Sequence, residues 1–204
     1  MSTGATTTSP SLRCGMAVVV MGVSGCGKTT FARKLADGIG GVFIDADDYH
    51  SASSIEKMRA GRALDDQDRE PWLRAVAAAA AARTGTPVVA CSALKRSYRD
   101  ILRSGAPSVF LHLDVPVDVV RSRIRARGGH FFSETLVASQ FETLEPLEAD
   151  EDGVALDGTL PLPELVDTAC SYLGDRPELW GAKPQDVESL ESRAHDGRHH
   201  SDRH

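Results

Sequence analysis

An apolar run, Ala17-Val-Val-Val-Met21, leads directly into Gly22-Val23-Ser24-Gly25-Cys26-Gly27-Lys28-Thr29-Thr30, and a helical pattern opens on Lys28. No other feature constrains the chain as much. The pattern G-x-x-x-x-G-K-[ST] works only with a strand behind it and a helix in front of it, and both flanks are present here. Its glycines let the backbone curl until successive N–H groups point inward, and the positive end of the following helix adds to the attraction for an anion. Gly22, Val23, Ser24, Gly25, Cys26, Gly27, Lys28, Thr29 and Thr30 are therefore expected to cradle the phosphates of a nucleoside triphosphate. Lys28 would reach the β and γ phosphates, and the Thr29 hydroxyl suits Mg²⁺, which prefers oxygen ligands and retains water.

The remaining apolar runs lie at 42–45 (VFID), 87–92 (PVVACS), 108–114 (SVFLHLD) and 154–157 (VALD). They are continuous rather than alternating, as expected for strands of a parallel sheet buried on both faces, and the spacers between them are long enough for crossover helices. The expected fold is α/β, a three-layer αβα sandwich on a five-stranded parallel sheet. Helical patterns fall at 28–37, 53–60, 71–83, 97–103, 116–127, 133–144 and 161–173, several of them with proline in the first turn, where its missing N–H is no loss. The run Ala77 to Ala82 reads as a helix packed close to the sheet.

Composition narrows the classes. Lys and Arg total 23 against 29 Asp and Glu, a formal net charge of −6, which argues against a nucleic-acid partner. With 41% hydrophobic residues the chain is not disordered throughout, and the length fits one domain, 16–174. Residues 1–15 and 175–204 are polar and are expected to be disordered flanks, the histidines of the second included. No apolar stretch approaches the roughly 18 residues of a membrane span. Cys14, Cys26, Cys91 and Cys170 form no C-x-x-C pair, and the N-terminus lacks a secretory pattern, so a reduced, cytoplasmic setting is expected.

The phosphate motif alone does not separate a kinase from a GTPase, an ATPase or a nucleotide-binding regulator. The base-reading tetrapeptide N-K-x-D of GTPases is missing, and a motor ATPase usually needs a longer chain, which leaves a small-molecule kinase as the leading class. At the end of the second run stands Asp45-Ala-Asp47-Asp-Tyr-His50, at the strand edge that faces the ligand crevice in open α/β sheets. Strand alternation would turn Asp45 and Asp47 the same way, one carboxylate toward Mg²⁺ and one toward an accepting hydroxyl. Ser92 and Lys95 follow the third strand and should emerge at the same crevice, with Arg99 one helical turn on. Arg123 and Arg127 lie four apart on one expected helix face, Arg127 next to Gly128-Gly129; Arg121, Arg123 and Arg125 read mainly as surface residues.

Several segments together resemble the gluconate kinases, a family of P-loop small-molecule kinases. They are GVSGCGKTT (22–30), DADDYH (45–50), IEKM with Gly61, LDDQDREPWL (64–73), CSALKRSYRDILR (91–103), RARGGHFF (125–132) and SQFETLEP (139–146), and the likeness runs from Val18 to about Tyr172. The chain departs from the family pattern at Ser51, Ser54 and Ala63, where Pro, Asn and the Pro of G-x-P-L are usual. The resemblance implies the P-loop kinase fold with a mobile lid. It implies ATP-dependent phosphorylation of D-gluconate at the 6-hydroxyl, with ATP and Mg²⁺ as cofactors, and a family that often forms homodimers. By position, it makes Asp47 the base and a contact to the acceptor, and has Asp45 and Thr29 hold Mg²⁺. Arg69 would grip the acceptor carboxylate and Gln140 the polyol; Ser92, Lys95 and Arg99 would contact the sugar acid or the transferred phosphoryl group, and His130 would touch substrate or cap the lid. Arg127 becomes the lid arginine over the triphosphate, and Asp157-Gly158 lies by the adenine. A kinase of another small hydroxy acid, such as shikimate, and a nucleotide-binding module without turnover remain the alternatives.

Overall fold

The computed structural model describes residues 16–126 and 134–174. The expected flanks, 1–15 and 175–204, and the segment 127–133 with Arg127 and His130 lie outside the described residues. Five strands form one all-parallel sheet in the order β2-β3-β1-β4-β5: β1 (Ala17–Met21), β2 (Val42–Asp45), β3 (Pro87–Ala90), β4 (Ser108–Asp114) and β5 (Gly153–Asp157). The seven α-helices of the described residues are α1 (Lys28–Ile39), α2 (Ala52–Arg59), α3 (Asp66–Ala81), α4 (Arg96–Gly105), α5 (Val117–Ala126), α6 (Glu134–Thr143) and α7 (Leu162–Gly174). The three-layer α/β reading holds.

Strand β1 shows why continuous apolar runs were the right signal. Side chains alternate across the sheet, so Val18 and Val20 enter a core with Phe31, Leu35, Leu165 and Leu173 of α1 and α7. Val19 and Met21 enter a second core with Leu73 and Val76 of α3 and Leu102 of α4. Because β1 lies between β3 and β4 with all five residues buried, its carboxyl end is fixed from both sides. The phosphate motif starts there.

One helix expectation is corrected. Helix α3 begins at Asp66 rather than Pro71, because Asp65 and Asp68 form a reciprocal capping box that satisfies first-turn amides. Pro71 therefore sits inside the helix on its exposed face, where solvent can meet the carbonyl it leaves without a partner. The alanine run meets α4 at Ala77, while Ala80 is buried in the core lined by strand residues Val19, Val89 and Phe110. A Cβ on Gly105 would lie 2.7 Å from the Ala77 carbonyl oxygen, so the two small residues allow that approach.

The most enclosed polar feature is an ion pair. Arg99 is 0% exposed, and its Nε and Nη2 donate to the Glu151 carboxylate at 2.7 and 2.6 Å. Its remaining N–H groups reach carbonyls of Glu145 and Pro146 at 3.1 and 3.2 Å, and Arg103 adds a bond to Glu151 at 3.0 Å. The pair ties α4 to the segment between α6 and β5. Burial pushes the Glu151 carboxyl up, but the bonds from Arg99, the Glu148 N–H and Arg103 outweigh it and bring it down to about 2. A depressed carboxyl stabilises the fold above its unfolded value of 4.5 and loses that contribution as pH falls toward about 2. Glu151→Gln is therefore expected to cost about 3–5 kcal/mol in denaturant unfolding at neutral pH, since it leaves a buried guanidinium unpaired. The same variant should lack the part of the acid-induced stability loss that Glu151 contributes, which unfolding curves across that pH range will test.

Candidate active site

The phosphate motif is a turn closed by its own backbone. Cys26 N–H donates to the Val23 carbonyl at 3.3 Å, and Gly25 takes φ +85°, the positive value that this kind of turn requires at its third residue. Lys28 Nζ donates to the same Val23 carbonyl at 3.0 Å. Gly22 N–H is bonded to Ser92 of the β3 loop at 3.2 Å, so the first residue of the turn is tied to the neighbouring strand. Two side chains from distant helices complete the support. Arg123 of α5 donates to the Cys26 carbonyl at 2.8 Å and to the Gly158 carbonyl at 3.0 Å. Gln140 of α6 accepts from Ser24 N–H at 2.6 Å and donates to Ser24 Oγ at 3.2 Å.

Arg123 had read as a surface residue. It is instead a part-buried brace on the phosphate turn, and the spacing of arginines along α5 carried no signal that would have separated it from Arg121 and Arg125.

The second wall starts at the end of β2. The strand stops at Asp45 and the chain enters a short 3₁₀ turn, Ala46–Tyr49, so strand alternation is not what orients the two aspartates. The Asp45 carboxylate caps that turn by accepting from Asp47 N–H at 3.2 Å, and its other oxygen accepts from the Thr29 hydroxyl at 3.4 Å. Asp45 and Asp47 nevertheless both line the cleft. Beneath them the His50 ring stacks on Trp72 with centroids 4.3 Å apart, and Trp72 Nε1 donates to the Ala46 carbonyl at 2.6 Å. The His50 side chain is only 6% exposed, and burial lowers its pKa, which keeps the ring neutral at physiological pH. The cleft walls, and next the Asp45 carboxylate, push Asp47 upward. Its side chain stays 85% exposed, so water offsets part of that push.

A cleft of about 770 Å³ joins these walls, a volume in the range of small-molecule sites. Its lining includes Ser24, Gly25, Gly27, Lys28, Thr29 and Thr30 of the phosphate turn, Asp45, Asp47 and His50, Ser92 after β3, and Arg69 and Gln140. Arg59 and Arg62, which had carried no assignment, line it too. Thr29 and Asp45 present hard oxygens, and no group of three or more His, Cys, Asp or Glu gathers as a metal cage among the described residues. That donor set suits a cation that takes its other ligands from phosphate and water.

The Arg69 side chain makes one hydrogen bond, Nε to the Leu64 carbonyl at 3.2 Å, lies over the Tyr98 ring at 5.5 Å, and pairs with no carboxylate among the described residues. The acidic residues beside it are engaged elsewhere. Asp66 takes Lys95 at 2.9 Å and the Tyr98 hydroxyl, while Asp65 and Asp68 share Lys57. This arrangement also corrects two expectations. Lys95 turns to Asp66 and does not line the cleft, and Arg99 lies wholly inside the Glu151 network. The helical register that should have carried Arg99 to the crevice points it inward, because α4 packs that face against the segment 145–151. At the departures from the family pattern, Ser51 caps α2 by accepting from Ser54 N–H at 3.1 Å.

Comparison with known proteins fits this geometry. The family model described as an AAA domain matches residues 18–147. The thermoresistant gluconokinase of Escherichia coli (strain K12) is 44% identical over 153 residues, 72% of this chain and 87% of that protein. The gluconokinase of Gluconobacter oxydans (strain 621H) is 42% identical over 146 residues, 69% and 82% of the two chains. Among solved structures, an unliganded sugar kinase from Janibacter sp. HTCC2649 superposes with TM-score 0.74 at 45% identity, covering 82% of this chain and 99% of that one. A gluconokinase from Sinorhizobium meliloti 1021 gives TM-score 0.71 at 37% identity, with coverage of 92% and 99%. With such relatives matched over most of their length, and with the phosphate turn, the paired aspartates and Arg69 gathered on one cleft, the chain belongs to the gluconokinase family of P-loop kinases.

Proposed function

We propose that the protein is a cytoplasmic, ATP-dependent gluconokinase that converts D-gluconate to 6-phospho-D-gluconate. One observation carries the reading: the cleft sets a phosphate turn against a carboxylate pair and an unpaired guanidinium, in a chain of this family. Asp47 orients the 6-hydroxyl and takes its proton as the oxygen attacks the γ-phosphorus, and the bond to the β–γ bridging oxygen breaks to release ADP. Lys28 stabilises the charge that develops on the transferred group. Arg69 keeps its Nη groups for the acceptor carboxylate, which a planar guanidinium binds through two parallel hydrogen bonds. Mg²⁺, when bound through Thr29 and Asp45, would neutralise charge on the β and γ phosphates. The family resemblance adds Arg127 as the lid arginine and His130 as a substrate contact or lid cap.

Mass spectrometry of the product formed from ATP, Mg²⁺ and gluconate tests the proposal directly; a mass gain of one phosphoryl group supports it, and an unchanged acceptor refutes it. Lys28→Met is expected to lower kcat by about 10²-fold or more, by analogy with loss of one preorganised donor, without loss of the fold by circular dichroism. Arg69→Lys should raise KM for gluconate with little effect on KM for ATP, because an ammonium cannot reproduce the two-point contact. The base must be ionised to act, and Asp47 is pushed above the ordinary aspartate value of 3.8. Activity should therefore fall with decreasing pH at a point above that value, and a kcat/KM profile for gluconate that stays flat through it would contradict the role.

A further inference from the structure

The Val23–Ser24 peptide is held from both sides. A trans peptide is planar, with its carbonyl and N–H pointing in opposite directions, and no peptide of the described residues is cis. On the carbonyl side stand Cys26 N–H at 3.3 Å and the Lys28 ammonium at 3.0 Å. On the N–H side, among the described residues, stands a single group, Gln140 Oε1 at 2.6 Å, reinforced by the bond from Gln140 Nε2 to Ser24 Oγ at 3.2 Å. The plane turns about ψ of Val23 and φ of Ser24, between Gly22 and Gly25 at φ +134° and +85°. Its orientation depends on these hydrogen bonds.

Gln140 is itself well placed to act as a fixed point. Its carbonyl accepts from Leu144 N–H at 3.0 Å at the end of α6, and the next residue, Glu145, donates to the Leu94 carbonyl at 2.8 Å. Arg99 then holds the Glu145 carbonyl from within the buried network. The amide also suits the position chemically. It accepts from an N–H as a carboxylate would, but adds no negative charge beside a site built for a triphosphate.

We propose that Gln140 is a positioning residue that acts through Lys28. By holding the Ser24 N–H, it keeps the Val23 carbonyl turned toward the lysine, and so keeps the ammonium aimed at the transferred phosphoryl group. This rests on the kinase reading above, and it differs from the acceptor-binding role that the family resemblance implies for the same residue. Both amide ends of Gln140 are already engaged by Ser24.

The test is a double-mutant cycle of Gln140→Met with Lys28→Met, read by turnover of ATP and gluconate and by equilibrium titration with a non-hydrolysable ATP analogue. Gln140→Met alone is expected to lower kcat by about 10- to 10²-fold, the scale of a small misplacement of a reacting group. KM for gluconate should stay unchanged, and the substitution should add nothing once Lys28 is already Met. Gln140→Asn, one methylene short and still polar, should reproduce the loss and the non-additivity, and covers the case in which the methionine variant fails to fold. Independent, additive losses would overturn the proposal, as would a raised KM for gluconate at unchanged kcat, the signature of an acceptor ligand. If the unaltered protein does not phosphorylate gluconate, the functional reading fails, while the nucleotide titration still reads the Gln140–Lys28 coupling by itself.

Discussion

A single backbone carbonyl, that of Val23, takes both the hydrogen bond that closes the phosphate turn and the bond that rests Lys28 against it. The peptide plane that carries it turns about ψ of Val23 and φ of Ser24, so its direction must be held from outside. The sheet supplies the first part of the answer. Strand β1 is paired on both sides, its side chains are consumed by two cores, and Gly22 N–H is bonded across to Ser92, so the turn leaves the sheet from a fixed point. The helices supply the rest, through Gln140 on the Ser24 amide and Arg123 on the Cys26 carbonyl. The cradle is thus made of backbone but oriented by side chains far away in sequence.

Charge is distributed with the same economy around the acceptor wall. Three aspartates stand at the start of α3 within four residues of Arg69, and an isolated helix would have paired at least one of them with it. The fold gives them other partners: Lys57 bridges Asp65 and Asp68, and Lys95 and Tyr98 take Asp66. The Arg69 guanidinium therefore enters the cleft without an internal counter-ion among the described residues. The opposite solution is used at Arg99, whose charge is enclosed and matched by Glu151 and whose function is to hold loops together. Two arginines thus end in unlike roles. What separates them is whether a carboxylate is buried alongside.

The legibility of the chain follows the same division. The inner strands β3, β1 and β4 could be read from unbroken apolar runs, because burial on both faces demands them; the edge strands β2 and β5 are only partly buried, although their short apolar runs also located them. The phosphate turn could be read from its spacing, because its glycines and lysine are local requirements. Helix α3 was misread at its start because a proline is a strong local signal, whereas the Asp65–Asp68 cap becomes visible only as a reciprocal pair. The aspartates at 45 and 47 were found for an incomplete reason: they reach the cleft through a 3₁₀ turn capped by Asp45, not through continued strand alternation. Lys95 and Arg99 were misplaced because a basic residue after a strand says nothing about which acidic segment will pack against it.

Taken alone, then, the sequence determined the layers of the fold, the strand that carries the phosphate turn and the residue types that meet at its mouth, since all of these follow from periodicity and local backbone geometry. The tertiary structure alone decided which charges are neutralised and which stay available, and which distant side chains hold the turn's peptide planes. Those outcomes depend on contacts between segments as far apart as Ser24 and Gln140, and no local pattern encodes a partner that lies 116 residues away.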